Sequence, residues 1–278
     1  MKSSDAGADA GAAFLTVERV AGASAVTSAR CHQPAKLLLP VPRGPSVWAC
    51  TSSFGGGFVA GDRTRLEIVL APDTRCYIGS QASSKVYRTP PDRPCSHTTR
   101  ARVGRGALLV FAPDPVQPFA GASYSQDQEF ELAPSASLVF LDTLHAGRSA
   151  RGERWAFRCY HARNSILVDA VPVFLDALCL DPADGPLTAH HRMGRFDALA
   201  SLVLVGPAVA PAAAQVLADV ASRPVARRAD LCVAASPLAD GALVRVAGVR
   251  TQDVGDELRR LMRFLNDLLP EQPWDRKG

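Results

Sequence analysis

Apolar and polar positions alternate along most of this chain, and a period of two predicts strands. In the stretch Thr64-Arg65-Leu66-Glu67-Ile68-Val69-Leu70, Leu66, Ile68 and Leu70 fall on one face. Residues 14–20 read as a strand in the same way, with 25–29 as hairpin partner across a turn at Gly22. The apolar run at 36–42 is broken by Pro40 and Pro42, which give a ladder no N–H, so it fits an edge strand. Residues 47–51 lead into a glycine run.

A loose repeat follows. Residues 66–70, a turn at Ala71-Pro72-Asp73 and residues 76–78 make one strand–turn–strand unit. Residues 98–103 and 107–111 flank Gly104-Arg105-Gly106, and 129–132 and 137–141 flank Ala133-Pro134-Ser135. The turns recur about every 30 residues, a period typical of stacked repeats. Each unit offers one apolar face that it cannot bury alone, and stacking would make a continuous core, as in β-solenoids. Further strands are expected at 154–160, 165–168 and 242–246. The expected fold is therefore mainly β: stacked, solenoid-like antiparallel and mixed strands in one elongated domain, with a small C-terminal helical portion.

Helical signal is sparse. Residues 211–221 are alanine-rich, with Pro211 at the start and Pro224 beyond the end. Val254, Leu258, Leu261, Met262, Leu265 and Leu268 lie on one stripe at 3.6 spacing. They predict a helix over 254–269 that packs on the protein's own sheet, with Asp253 as N-cap and Pro270 as stop. Residues 1–12 are small and polar and are expected to be disordered, 13–269 to form one domain, and 270–278 to be a loose tail.

Composition narrows the function classes. A net charge of +4, without a Lys/Arg block, gives no nucleic-acid footprint. No apolar run approaches the ~18–20 residues that cross a bilayer, and the acidic N-terminal stretch does not read as a signal peptide. Seven scattered cysteines, with no C-x-x-C pair, argue against a disulfide framework and point to a reducing cytoplasm.

The run Gly55-Gly56-Gly57-Phe58-Val59-Ala60-Gly61-Asp62 invites a phosphate-loop reading. A phosphate loop needs a helix directly after its glycines, whereas a strand follows here and no Gly-Lys-Ser/Thr is present. Asp62, Asp142 and Lys85 could serve a β-rich enzyme, although no Gly-x-Ser-x-Gly or His-Glu-x-x-His motif selects them. Cys31-His32, Cys95-Ser96-His97, Cys159-Tyr160-His161 and His190-His191 suggest metal ligands, but structural zinc sites want four ligands in compact spacing. A free-standing metal store built on Cys31, His32, Cys159 and His161 is the competing binding reading.

Three ordered motifs carry a resemblance. The glycine run ending at Asp62, then Gln81-Ala82-Ser83-Ser84-Lys85-Val86-Tyr87-Arg88, then Leu141-Asp142-Thr143-Leu144-His145-Ala146-Gly147-Arg148 resemble the urease accessory protein UreD family, called UreH in some lineages. Pro113-Asp114-Pro115, Gly152-Glu153 and the closing strand around Val244-Arg245-Val246 support it, and the resemblance spans roughly residues 14–269.

The resemblance implies a cytoplasmic scaffold that is not an enzyme. It implies that the chain binds apo-urease and UreF directly and meets the GTPase UreG through the complex. Within that assembly the chain is expected to dimerise. No tightly bound cofactor is implied, only nickel in transit along a passage lined by Asp62, Ser84, Asp142 and Asp176. Gly55, Gly56, Gly57, Gly61, Lys85, Tyr87, Gly147 and Arg148 carry over as structural motif positions. Arg63 follows Gly-Asp where some members have an acid, so such a passage requires Arg63 to point away or the path to shift.

Overall fold

A computed structural model of the chain describes residues 9–41, 44–269 and 272. In chain order the strands are β1 (Ala12–Val20), β2 (Ala23–Cys31), β3 (Ala35–Leu38), β4 (Val47–Ser53), β5 (Arg63–Leu70), β6 (Arg75–Ser80) and β7 (Ser84–Val86). There follow β8 (Cys95–Val103), β9 (Leu108–Phe111), β10 (Val116–Pro118), β11 (Ser123–Leu132) and β12 (Ser137–His145). The remainder are β13 (Cys159–Val168), β14 (Val171–Leu180), β15 (Ala198–Val205), β16 (Leu231–Leu238) and β17 (Gly241–Gly248). Helices are α1 (Ala210–Ala221), α2 (Thr251–Leu261) and the single turn α3 (Leu265–Leu268).

The repeat is real, and its geometry explains the mixed pairing. Each unit sends its first strand to one sheet and its second to the other, so successive units stack parallel in both. In the seven-stranded sheet, β1, β5, β8, β11 and β13 run parallel, closed by antiparallel β2 and β14. In the facing ten-stranded sheet, β4, β6, β9 and β12 are parallel, and β15, β17 and β16 extend it antiparallel. The proline-broken strand β3 is at the edge of this sheet, as proline requires.

Two apolar clusters fill the space between the sheets, at opposite ends. One, beside the repeat turns, holds Ile68, Leu70, Ala101, Phe130, Phe140 and Ile166. The other holds Phe58, Val86, Tyr124, Leu144, Trp155 and Tyr160. A third cluster lies on the outer face of the ten-stranded sheet, where Val216 of α1 and Val254, Leu258 and Leu261 of α2 cover β15 and β17.

Several expectations need correcting. Residues 154–158 are not strand, and β13 begins at Cys159. Trp155 and Phe157 are buried at alternate positions, which imitates a strand, but Trp155 has φ +54 and its indole N–H donates to the Phe196 carbonyl at 2.9 Å. The C-terminal helix starts at Thr251 and is interrupted between Leu261 and Leu265, so Asp253 is inside its first turn, paired with Arg250, and is not the N-cap. Residues 9–11, within the stretch read as disordered, form a turn in which Gly11 N–H donates to the Gln33 carbonyl. Residues 1–8 and nearly all of 270–278 lie outside the described residues.

Candidate functional site

A polar belt separates the two inter-sheet clusters. Along β11 the inward positions run Tyr124, Gln126, Gln128, Phe130, Leu132, so two amides interrupt an apolar series. On β8 the matching inward positions are His97 and Thr99, on β5 Thr64, on β13 Asn164 and on β14 Asp176. Thr99, Gln128, Asn164 and Asp176 stand in one register across four strands. From the facing sheet, Asp142, Ser201 and Arg245 form another such rung.

Asp142 is the focus of the belt. Gln126 Nε2 donates to both of its carboxylate oxygens at 3.0 Å, and Asn164 Nδ2 donates to Oδ2 at 2.9 Å. Asn164 in turn accepts from Gln128 Nε2 at 3.0 Å, so a chain of amide dipoles points at one carboxylate. Burial pushes the Asp142 pKa up, the Asn164 and Gln126 hydrogen bonds oppose that shift, and the nearby charge of Asp176 adds to it. His97 is held between Thr64 Oγ1, 2.7 Å from Nδ1, and Thr99 Oγ1, 3.0 Å from Nε2. Burial lowers its pKa to about 4, so it is a neutral imidazole at neutral pH.

Two cavities adjoin this belt. The first, about 410 Å³, is lined by Ser84, Asp114, His97, Gln126 and Asp142, with Lys36 also on its wall. The second, about 420 Å³, is lined by Asp142, Tyr160, Asp176, Ser201 and Arg245. Asp142 therefore lines both, Ser84 belongs to the first and Asp176 to the second.

Asp62 is elsewhere. It closes the turn before β5, accepting from Val59 N–H at 2.8 Å, and it lines neither cavity. Arg63 is exposed while its neighbour Thr64 faces inward, so the basic side chain points away from the belt. Lys85 is exposed too. Asp62, Lys85 and Asp142 thus share no common site. Nor do the Cys/His pairs converge: among the described residues no group of three or more His, Cys, Asp or Glu is placed to hold a metal ion.

The sequence motifs do converge. Phe58 N–H donates to the Lys85 carbonyl at 2.8 Å and Tyr87 N–H to the Phe58 carbonyl at 3.0 Å, which lays the glycine run along β7. Gly57 is required there, because a Cβ would sit 2.6 Å from the Lys85 carbonyl oxygen and 2.8 Å from the Tyr87 ring. Gly55 and Gly56 belong to the short 3-10 turn just before it, and Gly61 to the turn at Asp62. Tyr87 meets Phe119 edge-on at 5.5 Å, and the Arg148 guanidinium covers the same Phe119 at 4.3 Å while pairing with Glu153. Gly147, at φ +109, would drive a Cβ to 2.8 Å from two carbonyl oxygens. The motif residues thus frame the end of the sandwich at which Ser84 enters the first cavity.

Sequence reasoning missed His97 as a cavity wall, together with Asp114, Gln126, Asn164 and Arg245. The signal was present: inward positions Thr64 of β5, His97 of β8 and Gln126 of β11 turn polar at the same level of three repeats, where a core would be apolar.

Comparison with known proteins supplies the family. Residues 9–276 match the family described as UreD urease accessory protein. The chain is 45% identical over 269 residues to a urease accessory protein UreD of Sorangium cellulosum, covering 96% of this chain and 84% of that one. Identity is 42% over 272 residues to that of an Anaeromyxobacter species, covering 98% and 91%. It is 31% over 289 residues to urease accessory protein D of Arabidopsis thaliana, covering 94% and 98%. On the match across nearly its whole length, this chain belongs to the UreD urease accessory protein family.

Proposed function

We propose that this chain, a urease accessory protein and not an enzyme, relays nickel through its interior to the urease active site. The observation that carries the reading is Asp142, an inward-facing, partly buried carboxylate that lines both inter-sheet cavities, with Ser84 on one side and Asp176 on the other. Carboxylate, hydroxyl and amide oxygens bind nickel less tightly than thiolate or several imidazoles would. A conduit has to admit an ion and let it leave, so weak oxygen ligands suit transit and a Cys/His cage would not. His97 lines the first cavity as a neutral imidazole with both ring nitrogens engaged by Thr64 and Thr99, so the oxygen ligands carry the ion there.

The approach of a divalent cation stabilises the ionised form of Asp142, because a nearby positive charge opposes the effect of burial. Asp62 then serves to brace the turn at the start of β5, and the path runs from Ser84 through Asp142 to Asp176. In this reading the chain docks on apo-urease, contacts UreF directly and meets UreG through the complex, as a dimer within that assembly. GTP hydrolysis falls to the partner, since the glycine run here is followed by β5 and not by a helix.

The test is the nickel content of urease purified from nickel-limited cells that co-express the accessory partners. Asp142→Asn keeps the side-chain shape and removes the charge. It is expected to cut nickel per urease at least several-fold, with the accessory complex still assembled, and Asp176→Asn to act in the same direction. Full nickel loading with both variants would sink the reading.

A further inference from the structure

Arg245 is placed where a cation conduit would least need a fixed positive charge. On β17 it is in register with Ser201 of β15, and Ser201 with Asp142 of β12. The opposing rung ends at Asp176 of β14, in register with Asn164. Arg245 Nη2 donates to Asp176 Oδ1 at 2.7 Å, bridging the two sheets beside the second cavity. The Asp176 side chain is 18% exposed and that of Arg245 53%. The acid therefore belongs to the cavity wall, and the base reaches it from the solvent side.

A tie between sheets is one account of this pair, but its energetics favour another. An ion pair with a half-exposed guanidinium contributes about 0–1 kcal/mol, so it opens readily. Its effect on a divalent ion is larger. Asp142 and Asp176 together present two carboxylates to the second cavity, and Arg245 cancels one of those charges. With both free, a dication would be held; with one masked, it is held loosely.

We propose that Arg245 is an affinity-setting latch, whose guanidinium occupies Asp176 until a divalent cation displaces it and then competes for the same oxygens as the ion leaves. The proposal rests on the reading that nickel passes Asp176. It places the specificity for weak, reversible binding on a residue that is not itself a ligand.

The experiment uses the full chain and Ni²⁺ alone. Equilibrium dialysis gives affinity, and release into a chelator gives the off-rate. Arg245→Gln is expected to tighten Ni²⁺ binding on the order of tenfold and to slow release, since one opposing charge is gone. Adding Asp176→Asn should restore weak binding, and Arg245→Lys, which keeps the charge, should stay within about twofold of wild type on the same electrostatic argument. Arg245→Met, which keeps the apolar stem, replaces the Gln variant if that one does not fold, with the same expectation. Unchanged affinity in the neutral variants, while Asp176→Asn weakens binding, would overturn the latch and leave the conduit standing. Indifference of Ni²⁺ binding to Arg245, Asp176 and Asp142 alike would remove both. A fall in melting temperature with unaltered affinity would make the pair a tie between sheets, and the latch would be wrong.

Discussion

Asp142 shows what one residue does here. It occupies an inward strand position that the alternation reserves for an apolar side chain, as Leu138 and Phe140 are on the same strand. Three amide hydrogen-bond contacts offset part of the cost of burying a carboxylate, and the raised pKa reports the remainder. His97 and His145 behave oppositely, because burial lowers each to about 4. Each folded-state pKa then lies below the unfolded value near 6.5, so between pH 6.5 and about 4 the unfolded chain binds more protons. Stability is therefore lost as pH falls through that window and is flat above it with respect to these groups. For His97→Gln, melting curves from pH 7 to 4 should show a shallower decline, the His97 share being on the order of 1–3 kcal/mol. A decline as steep as wild type would show that His97 is not held neutral. The sequence displayed His97 as half of a Cys/His pair. What it could not display was that Cys95 donates to the Val59 carbonyl while His97 faces the belt, a difference fixed by neighbouring strands.

At the scale of elements, turns and helix clamps carry the load. Gly57→Val should break the contact between the glycine run and β7, because the first added carbon already meets the Lys85 carbonyl. A cost of about 1–3 kcal/mol or more is expected, with reduced soluble yield; a normal melting temperature would show the run to be loosely packed. Behind the ten-stranded sheet, Glu257 of α2 accepts from Arg223 at 2.8 Å and from Arg260 at 2.9 and 3.0 Å. Both arginines also reach Asp219 of α1, so Glu257 joins the two helices. Glu257→Ala leaves two guanidiniums short of a partner and should cost about 1–3 kcal/mol in urea unfolding, discounted because both are partly exposed. An unchanged midpoint would reduce this cluster to surface decoration.

Strands that expose one face were legible, which is why β1, β2, β5 and the repeat pairs stand where alternation put them. β15 was not, because it is covered by the opposite sheet on one side and helices on the other, and only Ser201 interrupts its otherwise apolar sequence. β14 was hidden by Pro172, which is tolerated because the strand is at a sheet edge with an irregular register at Ile166/Leu167.

The whole molecule follows from one rule applied repeatedly. A unit that buries one face by stacking gives two parallel-centred sheets, and a polar level repeated in successive units becomes a belt across the interior. The period and the motif order were readable in sequence. The belt was not, because it is assembled from inward positions some 30 residues apart whose shared height is a property of register. The account therefore turns on whether that interior is a route. Ser201→Phe tests it most directly: Ser201 is on the wall of the second cavity, between Asp142 and Arg245 in register, and a phenyl ring there obstructs the space without removing a charge. Nickel per urease, measured after co-expression with the partners and with assembly of the accessory complex verified, is predicted to fall to the level seen without this chain. Wild-type loading through an obstructed interior would contradict the conduit.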